Sequence, residues 1–139
     1  MTSDRVEVAS LFTRLSRLLD DKRWDDAGTI YTEDATVQSP RGGELRGLDA
    51  LTAFLKQSDV EGVNTQHVDT NVVVHVDGDE ATAEANSLVF FYREGEAPHR
   101  ESGLRLSWTA ARTPAGWRIT TSRIVPAWIR EREVIGAGA

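Results

Sequence analysis

Among the titratable side chains of this 139-residue sequence, Asp20, Asp21 and His67 are the candidates for moving or holding a proton in a site. An imidazole accepts or donates a proton near neutral pH, and a buried carboxylate beside it fixes its tautomer and stabilises the imidazolium. The two carboxylates stand at the end of the first predicted helix, where they oppose the negative end of the helix dipole. Such carboxylates are either well solvated or held by a partner.

Asp20 is the better candidate for an inward carboxylate, because it directly follows the apolar positions 18 and 19, whereas Asp21 lies further round the helix. The alternative for Asp20 is a solvated side chain paired with Lys22 or Arg23. His67 opens the first long predicted strand, in TQHVDTN. Its plainer alternative is a structural histidine, and His75 and His99 are interpreted as surface residues.

Five further residues are candidates for holding a substrate: Trp24, Tyr31, Asn71, Asn86 and Arg105. The amides and the Tyr31 hydroxyl could bind a carbonyl or hydroxyl group, and the guanidinium could bind an acidic or enolate oxygen. Each has an alternative. Trp24 and the ring of Tyr31 fit a core, and the two amides and Arg105 fit a solvated strand face.

Strand alternation raises a difficulty for His67. Val68, Val72, Val74 and Val76 share one parity, and His67, Asp69 and Asn71 share the other. On plain alternation His67 therefore points away from the valine-rich face. A His67 in a cavity requires either that the mixed face lines the cavity or that a β-bulge lies near Thr70.

The elements that must position these residues follow from periodicity. Apolar residues at spacings of three and four predict a helix over about 5–20, with Asp4 and Glu7 as a capping box. Shorter helices are predicted over roughly 23–31, ending near Tyr31, and over 48–57. Alternating runs predict strands over 65–76, 80–93, 102–112 and 117–127, the first two joined at Asp77-Gly78-Asp79. Helices followed by a strand meander indicate an α+β fold.

The second half of the 80–93 strand is apolar on both faces. Together with Leu104, Leu106 and Trp108 of the next strand, this predicts a sheet-to-sheet homodimer through the outer face. The alternative is that Trp128 and the C-terminal segment cover this face within one chain.

Composition limits the remaining possibilities. The length and the 40% hydrophobic content predict one globular domain, 1–139, with residues 131–139 as a frayed tail. A net charge of −6 speaks against nucleic acid or an anionic membrane as partner. Without cysteine there is no disulfide, thiolate metal site or Cys nucleophile. Three scattered histidines predict no metal site, and the absence of a signal-peptide pattern or a long apolar run predicts a cytoplasmic protein.

Four segments in order carry a resemblance to a known family: DDKRWDDAGTIYTEDATVQSPRG, RGLDALTAFL, TQHVDTNVVVHVDGDEATAEA and RTPAGWRIT. They resemble the SnoaL-like branch of the NTF2-like superfamily over roughly residues 6–128. The resemblance implies a cone of curved antiparallel sheet wrapped around three N-terminal helices, with a deep pocket. The family that it resembles includes polyketide cyclases, scytalone dehydratase and ketosteroid isomerase, as well as non-catalytic binders. Most of its members use no cofactor.

The resemblance also implies roles for particular residues. LLDDKRW is similar to the segment in which scytalone dehydratase carries an Asp that orients a catalytic His, which assigns these roles to Asp20 and His67. Two departures limit the comparison. Leu19 replaces a substrate-activating tyrosine, and Ser39 stands where ketosteroid isomerase has its base. We therefore expect a small cofactor-independent lyase, isomerase or cyclase acting on an aromatic or polyketide-like ketone. One alternative is a non-catalytic binder of a hydrophobic ligand or a dimeric accessory subunit, and another is a plain dimerisation domain with a filled pocket.

Overall fold

The computed structural model describes residues 3–132, which form two α-helices, one 3-10 helix and six β-strands. In chain order these are α1 (Asp4–Asp20), the 3-10 helix (Trp24–Thr29), β1 (Tyr31–Ser39), β2 (Gly43–Arg46), α2 (Leu48–Ser58), β3 (Asn64–Asp77), β4 (Glu80–Tyr92), β5 (Arg100–Thr113) and β6 (Gly116–Glu131). The α+β prediction is confirmed. Of the predicted tail, Glu131 ends β6, and residues 133–139 lie outside the described residues.

Helix α1 begins one residue earlier than the predicted capping box. Ser3 is the N-cap, and its hydroxyl accepts a 3.2 Å hydrogen bond from the Val6 amide. Asp4 and Glu7 lie in the first turn, where negative charge is favoured by the helix dipole. The predicted apolar stripe is confirmed, because its buried members are Val8, Leu11, Phe12 and Leu18. This stripe fixes which face of α1 meets the sheet.

The second predicted helix is shorter than expected and is wound as a 3-10 helix that ends at Thr29. The prediction that Tyr31 ends this helix is wrong, because Tyr31 is the first residue of β1. Gly28 weakens the helix, and β-branched and aromatic residues such as Ile30 and Tyr31 favour extended backbone. The carbonyl of Ile30 accepts a 2.8 Å hydrogen bond from the Ile119 amide, which joins this segment to β6.

The six strands form one sheet in the order β2-β1-β6-β5-β4-β3. The predicted meander is present as β3 to β6, with antiparallel neighbours throughout, and β1 adds to it in parallel to β6. Strand β2 was not predicted and pairs antiparallel with β1. Register shifts interrupt the β3–β4, β5–β6 and β1–β6 pairings. Such shifts bend and twist strands, which lets the sheet curve over the helices.

The concave face of the sheet and the helices bury the core. Phe12 of α1 stacks on Trp108 of β5 with ring centroids 3.5 Å apart and planes 15° apart. The prediction that Trp108, Leu104 and Leu106 contribute to an outer surface is wrong. Trp108 is buried in the core cluster, and Leu106 packs against it from the same face. Plain alternation along β5 turns Leu104, Leu106 and Trp108 to the same inner face.

Candidate active site

A cavity of about 100 Å³ lies between α1, α2 and the concave face of the sheet. Its wall is mostly aliphatic and aromatic, and the polar side chains that reach it are hydroxyls, one imidazole and one carboxyl. The apolar lining comprises Leu15, Leu19, Val37, Leu45, Leu51, Phe54, Leu55, Leu104, Leu106, Trp108 and Ile124, and the polar lining comprises Ser16, Tyr31, Ser39, His67, Asp69, Ser87 and Ser122. A volume of this size holds several waters or a small organic ring. The described lining contains no lysine or arginine.

The last residue of α1 and the start of β3 meet at the edge of this cavity. Asp20 Oδ1 lies 2.5 Å from His67 Nδ1, and Asp20 Oδ2 accepts a 3.0 Å hydrogen bond from the His67 backbone amide. Thr65 Oγ1 donates a further 3.0 Å bond to Asp20 Oδ1. Both oxygens of Asp20 are therefore engaged, and the imidazole is fixed through both its ring and its backbone. Nε2 is the ring nitrogen left for a ligand in the cavity that His67 lines.

Opposing effects act on the Asp20 carboxyl. Burial raises its pKa, whereas the hydrogen bonds from the side chain and backbone of His67, the charge of His67 and the bond from Thr65 lower it. The lowering effects prevail, and the pKa of Asp20 lies below its usual 3.8. A carboxylate at the C-terminal end of a helix is disfavoured by the dipole. Its three hydrogen bonds explain why it is stable there, and they keep it ionised beside the imidazole.

A β-bulge in β3 explains how His67 reaches the cavity. Before the bulge His67 and Asp69 turn inward, and after it Val74 is buried on the concave side. The pairing of β3 with β4 shifts between Thr70 and Val73, and Asn71 inside the shift has φ 57°. An extra residue in one strand moves the following side chains to the opposite face. Both conditions raised by the sequence therefore hold: the mixed face lines the cavity, and the bulge lies next to Thr70.

Tyr31 also lines the cavity, although it opens β1 rather than ending a helix. Its side chain is 6% exposed, and burial raises the pKa of its phenol well above the usual range. The hydroxyl therefore keeps its proton and can donate a hydrogen bond. Trp24 is absent from the cavity lining and packs, partly buried, against the core. Its position fits the core alternative.

Asn71, Asn86 and Arg105 do not reach the cavity and are exposed. Asn71 occupies the bulge, where its Oδ1 accepts hydrogen bonds from Thr70 Oγ1 at 2.9 Å and from Asn86 Nδ2 at 3.4 Å. Asn86 and Arg105 are cross-strand partners on the convex face. We therefore correct the expectation that these three bind a substrate inside the fold. The reason is strand parity, since Ala85 and Ser87 on either side of Asn86 are buried on the concave face.

Four polar cavity residues were not singled out from the sequence: Ser16, Asp69, Ser87 and Ser122. Ser16 lies four residues before Asp20 on one helix face, and Asp69 lies two residues after His67 on one strand face. Those spacings would have predicted Ser16 and Asp69 as cavity residues once Asp20 and His67 were known to face inward. The other two depend on pairing: Ser87 stands opposite Asp69, and Ser122 stands opposite Trp108.

Two properties of residues 3–132 bear on cofactors and membranes. They hold no cluster of three or more His, Cys, Asp or Glu side chains that could bind a metal ion. No helix among them is both long and apolar enough to span a bilayer.

Comparison with known proteins places these features in a family. The family model of the SnoaL-like domain matches residues 1–123. An uncharacterized protein of Mycobacterium tuberculosis is 34% identical over 128 residues, which covers 84% of this chain and 81% of that protein.

Solved structures are similar over nearly their full length. The Kfla4162 protein of Kribbella flavida superimposes with a TM-score of 0.81 at 23% identity, covering 91% of this chain and 93% of that one. A type 2 hexachlorocyclohexane dehydrochlorinase, LinA, gives a TM-score of 0.80 at 13% identity, covering 97% and 95%. ActVI-ORFA of Streptomyces coelicolor gives 0.76 at 20% identity, covering 88% and 96%. At these identities the likeness shows the fold and not the reaction.

Proposed function

Because the chain belongs to the family of SnoaL-like domains, within the NTF2-like superfamily, we propose that it is a cofactor-independent lyase, isomerase or cyclase acting on an aromatic or polyketide-like ketone. The observation that carries this proposal is the Asp20–His67 pair at the edge of an apolar cavity. One ring nitrogen is held by a carboxylate and the other is left for a ligand. This is the arrangement that general acid–base catalysis requires.

The proposed step is proton removal from the carbon next to the ketone carbonyl. His67 Nε2 accepts the proton, the C–H bond breaks, and its electron pair moves through the new C=C bond onto the carbonyl oxygen. Asp20 stabilises the imidazolium that forms, as its lowered pKa keeps it ionised. Return of the proton to another atom completes an isomerisation, and loss of a leaving group or attack on a second carbonyl completes an elimination or a cyclisation.

Tyr31 is the proposed donor to the enolate oxygen. Burial holds its phenol protonated, and preorganised donors in a site that excludes water stabilise a developing oxyanion. No cation is available for this role in the described lining. The hydroxyls of Ser39 and Ser122 are further possible donors, and the aliphatic walls accommodate the ring.

The test uses acetophenone in D₂O, with exchange of its methyl protons followed by NMR. The wild-type protein should accelerate exchange, and His67→Ala should lower the rate by about 10²- to 10⁴-fold, the usual contribution of a general base. His75→Ala is the matched control, because His75 is an exposed histidine on the same strand. Equal exchange rates in the wild-type protein and in His67→Ala would contradict the catalytic proposal.

The second candidate is a binder that returns its ligand unchanged. It is favoured by Leu19 in place of a substrate-activating tyrosine and by the mostly apolar lining, to which Leu19 contributes. In the same experiment this candidate predicts acetophenone binding, seen as shifted protein resonances, without acceleration of exchange. The two readouts therefore separate catalysis from binding.

We further propose a homodimer through the convex face. Val68 and Leu88 are cross-strand partners there and are 40% and 36% exposed, and Trp128 lies against Gly103 beside them at 47% exposure. Sedimentation equilibrium should give twice the 15.4 kDa chain mass, and Leu88→Glu should halve it, whereas Glu84→Lys on the same strand should not. Particles of single-chain mass at high micromolar concentration would contradict the dimer.

A further inference from the structure

A second helix–strand pair lies beside Asp20–His67, and it is only half satisfied. Ser16, four residues before Asp20 on α1, donates a 2.6 Å hydrogen bond to Asp69 Oδ2, two residues after His67 on β3. Asp69 Oδ1 is buried and has no hydrogen-bond partner among residues 3–132. Asp69 lines the same cavity as His67. An acceptor in a largely apolar wall is thus left unpaired.

A serine on the neighbouring strand β4 extends this polar patch, and a second serine lines the same cavity from β6, three strands away. Ser87 is the cross-strand partner of Asp69 and is 2% exposed, and Ser122 is 4% exposed. Both line the cavity, and neither Oγ has a partner within the described part of the chain. Buried polar atoms are nearly always paired, and leaving one unpaired is unfavourable. The unpaired oxygens of two neighbouring cavity residues, Asp69 and Ser87, therefore favour a polar group of a ligand at this part of the wall.

We propose that Asp69 determines specificity by accepting a hydrogen bond from a hydroxyl group on the ligand, with its cross-strand partner Ser87 beside it. The free oxygen of Asp69 is an acceptor and selects a donor. A serine hydroxyl both donates and accepts, so it matches a ligand hydroxyl better than a group that only accepts. The surrounding leucines, Trp108 and Ile124 favour a neutral ring as the carrier of that hydroxyl.

The spacing on β3 indicates where on the ligand the hydroxyl lies. Residues two apart on one strand face are separated by about 7 Å, which is close to the span of one six-membered ring with its substituents. A ligand with its reacting carbon at His67 therefore presents its hydroxyl to Asp69 from the far side of a ring. This deepens the proposed function, on which it rests for the role of His67, by naming hydroxyaryl ketones as the ligand class.

The test compares 4-hydroxyacetophenone with 4-methoxyacetophenone, which has the same ring but no donor. Titration calorimetry on the wild-type protein should show about tenfold or more tighter binding of the hydroxy compound, the effect expected for a hydrogen bond to a charged group. Asp69→Asn should reduce the preference to less than about threefold, and Asp77→Asn, an exposed carboxylate on the same strand, should leave it intact. Equal binding of the two ketones, or no binding of either at millimolar concentration, would overturn the proposal.

A measurement on the wild-type protein alone also tests the proposal, so the test does not depend on whether Asp69→Asn folds. A phenol that donates to a carboxyl group absorbs at longer wavelength, so bound 4-hydroxyacetophenone should show a red shift that 4-methoxyacetophenone does not. A saturated complex without that shift would count against Asp69 as acceptor.

Binding and exchange separate this proposal from the catalytic one. His67→Ala should retain the hydroxy preference while losing proton exchange. A protein that shows the preference without exchange supports the Asp69 site and contradicts catalysis, and one that shows exchange without the preference does the reverse. Tighter binding of 4-aminoacetophenone than of the hydroxy compound would contradict a hydroxyl-selective site.

Discussion

The two ends of helix α1 each carry a carboxylate, and they serve different purposes. Asp4 lies in the first turn, where the helix dipole favours a negative charge, and Asp20 is the last residue, where the dipole opposes it. Asp4 accepts hydrogen bonds from Arg112 Nη1 at 2.8 Å and Nη2 at 2.6 Å and from Trp117 Nε1 at 3.2 Å. Asp20 accepts its bonds from His67 and Thr65.

The two carboxylates differ in their partners, and the partner determines what each end of the helix can do. Arg112 is always charged, and it also binds Asp79, so the Asp4 end ties α1 to the β3–β4 turn and to β5 without a group that can exchange protons. His67 can exchange a proton and faces a cavity. The favoured end of the helix is therefore used to hold the fold together. The disfavoured end holds an imidazole that lines the cavity.

The largest expected effect separates the two ends by activity. Asp20→Asn keeps the shape of the side chain but removes the charge that orients and stabilises the His67 imidazolium, so acetophenone exchange should fall by about 10²-fold or more. Asp4→Asn and Asp21→Asn should leave the exchange rate within about twofold, because neither carboxylate contacts His67. A comparable fall in all three variants would remove the distinction between the ends.

The next largest effect should distinguish the two ends of α1 by their contribution to stability. Arg112→Ala removes both hydrogen bonds to Asp4 and the pairing with Asp79, so the Tm should fall, while acetophenone exchange measured well below the Tm should be unchanged. Arg130→Ala is the control, because its pair with Glu101 is a peripheral contact of exposed Arg130 within the sheet, and the Tm should change less. A Tm that is unmoved by Arg112→Ala would show that the Asp4 end does not hold the fold.

Low pH should weaken the stabilising interactions of the carboxylates at both ends of α1. The hydrogen bonds from Arg112 and Trp117 lower the pKa of Asp4 below 3.8, against a smaller opposing effect of desolvation, and the pKa of Asp20 is also lowered. A carboxyl with a folded-state pKa below its unfolded value stabilises the fold above the unfolded value, and this contribution is lost as the pH falls through the folded value. Urea unfolding should therefore show stability declining below about pH 4. Asp4→Asn and Asp20→Asn should each make that decline shallower, and an unchanged slope in either variant would contradict the assignment at that end.

The smallest effect concerns charge near Asp20 that does not touch His67. Lys22 Nζ pairs with Asp59 Oδ1 at 2.9 Å, and both side chains are about one-third exposed. Asp59→Asn should lower the free energy of unfolding by no more than about 1 kcal/mol, with acetophenone exchange unchanged. Denaturant unfolding and the exchange assay together check this, and a large loss of exchange would mean that the pairing of Lys22 with Asp59 helps to position Asp20.

Much of the fold was predictable because local periodicity carries it. The apolar stripe of α1 and the turn at Asp77-Gly78-Asp79 depend on residues that are close in the chain, and both are found where predicted. The end of the second helix was mispredicted because Tyr31 was assigned by apolar spacing. The carbonyl of the preceding Ile30 is bonded to distant Ile119, so the structure there depends on a long-range contact.

The candidate site was also predictable in part from the sequence and in part only from the tertiary structure. The sequence by itself determined which side chains can move a proton, and its resemblance to the SnoaL-like family pointed to Asp20 and His67 as the pair to examine. Only the tertiary structure decided that Asn71, Asn86 and Arg105 face outward and that Asp69, Ser87 and Ser122 face the cavity. The β3 bulge places Asn71 outward, whereas alternation along β4 and β5 turns Asn86 and Arg105 to the convex face and Ser87 to the cavity. Neighbours across strands are set by register, which joins residues as far apart in the chain as Asp69 and Ser87.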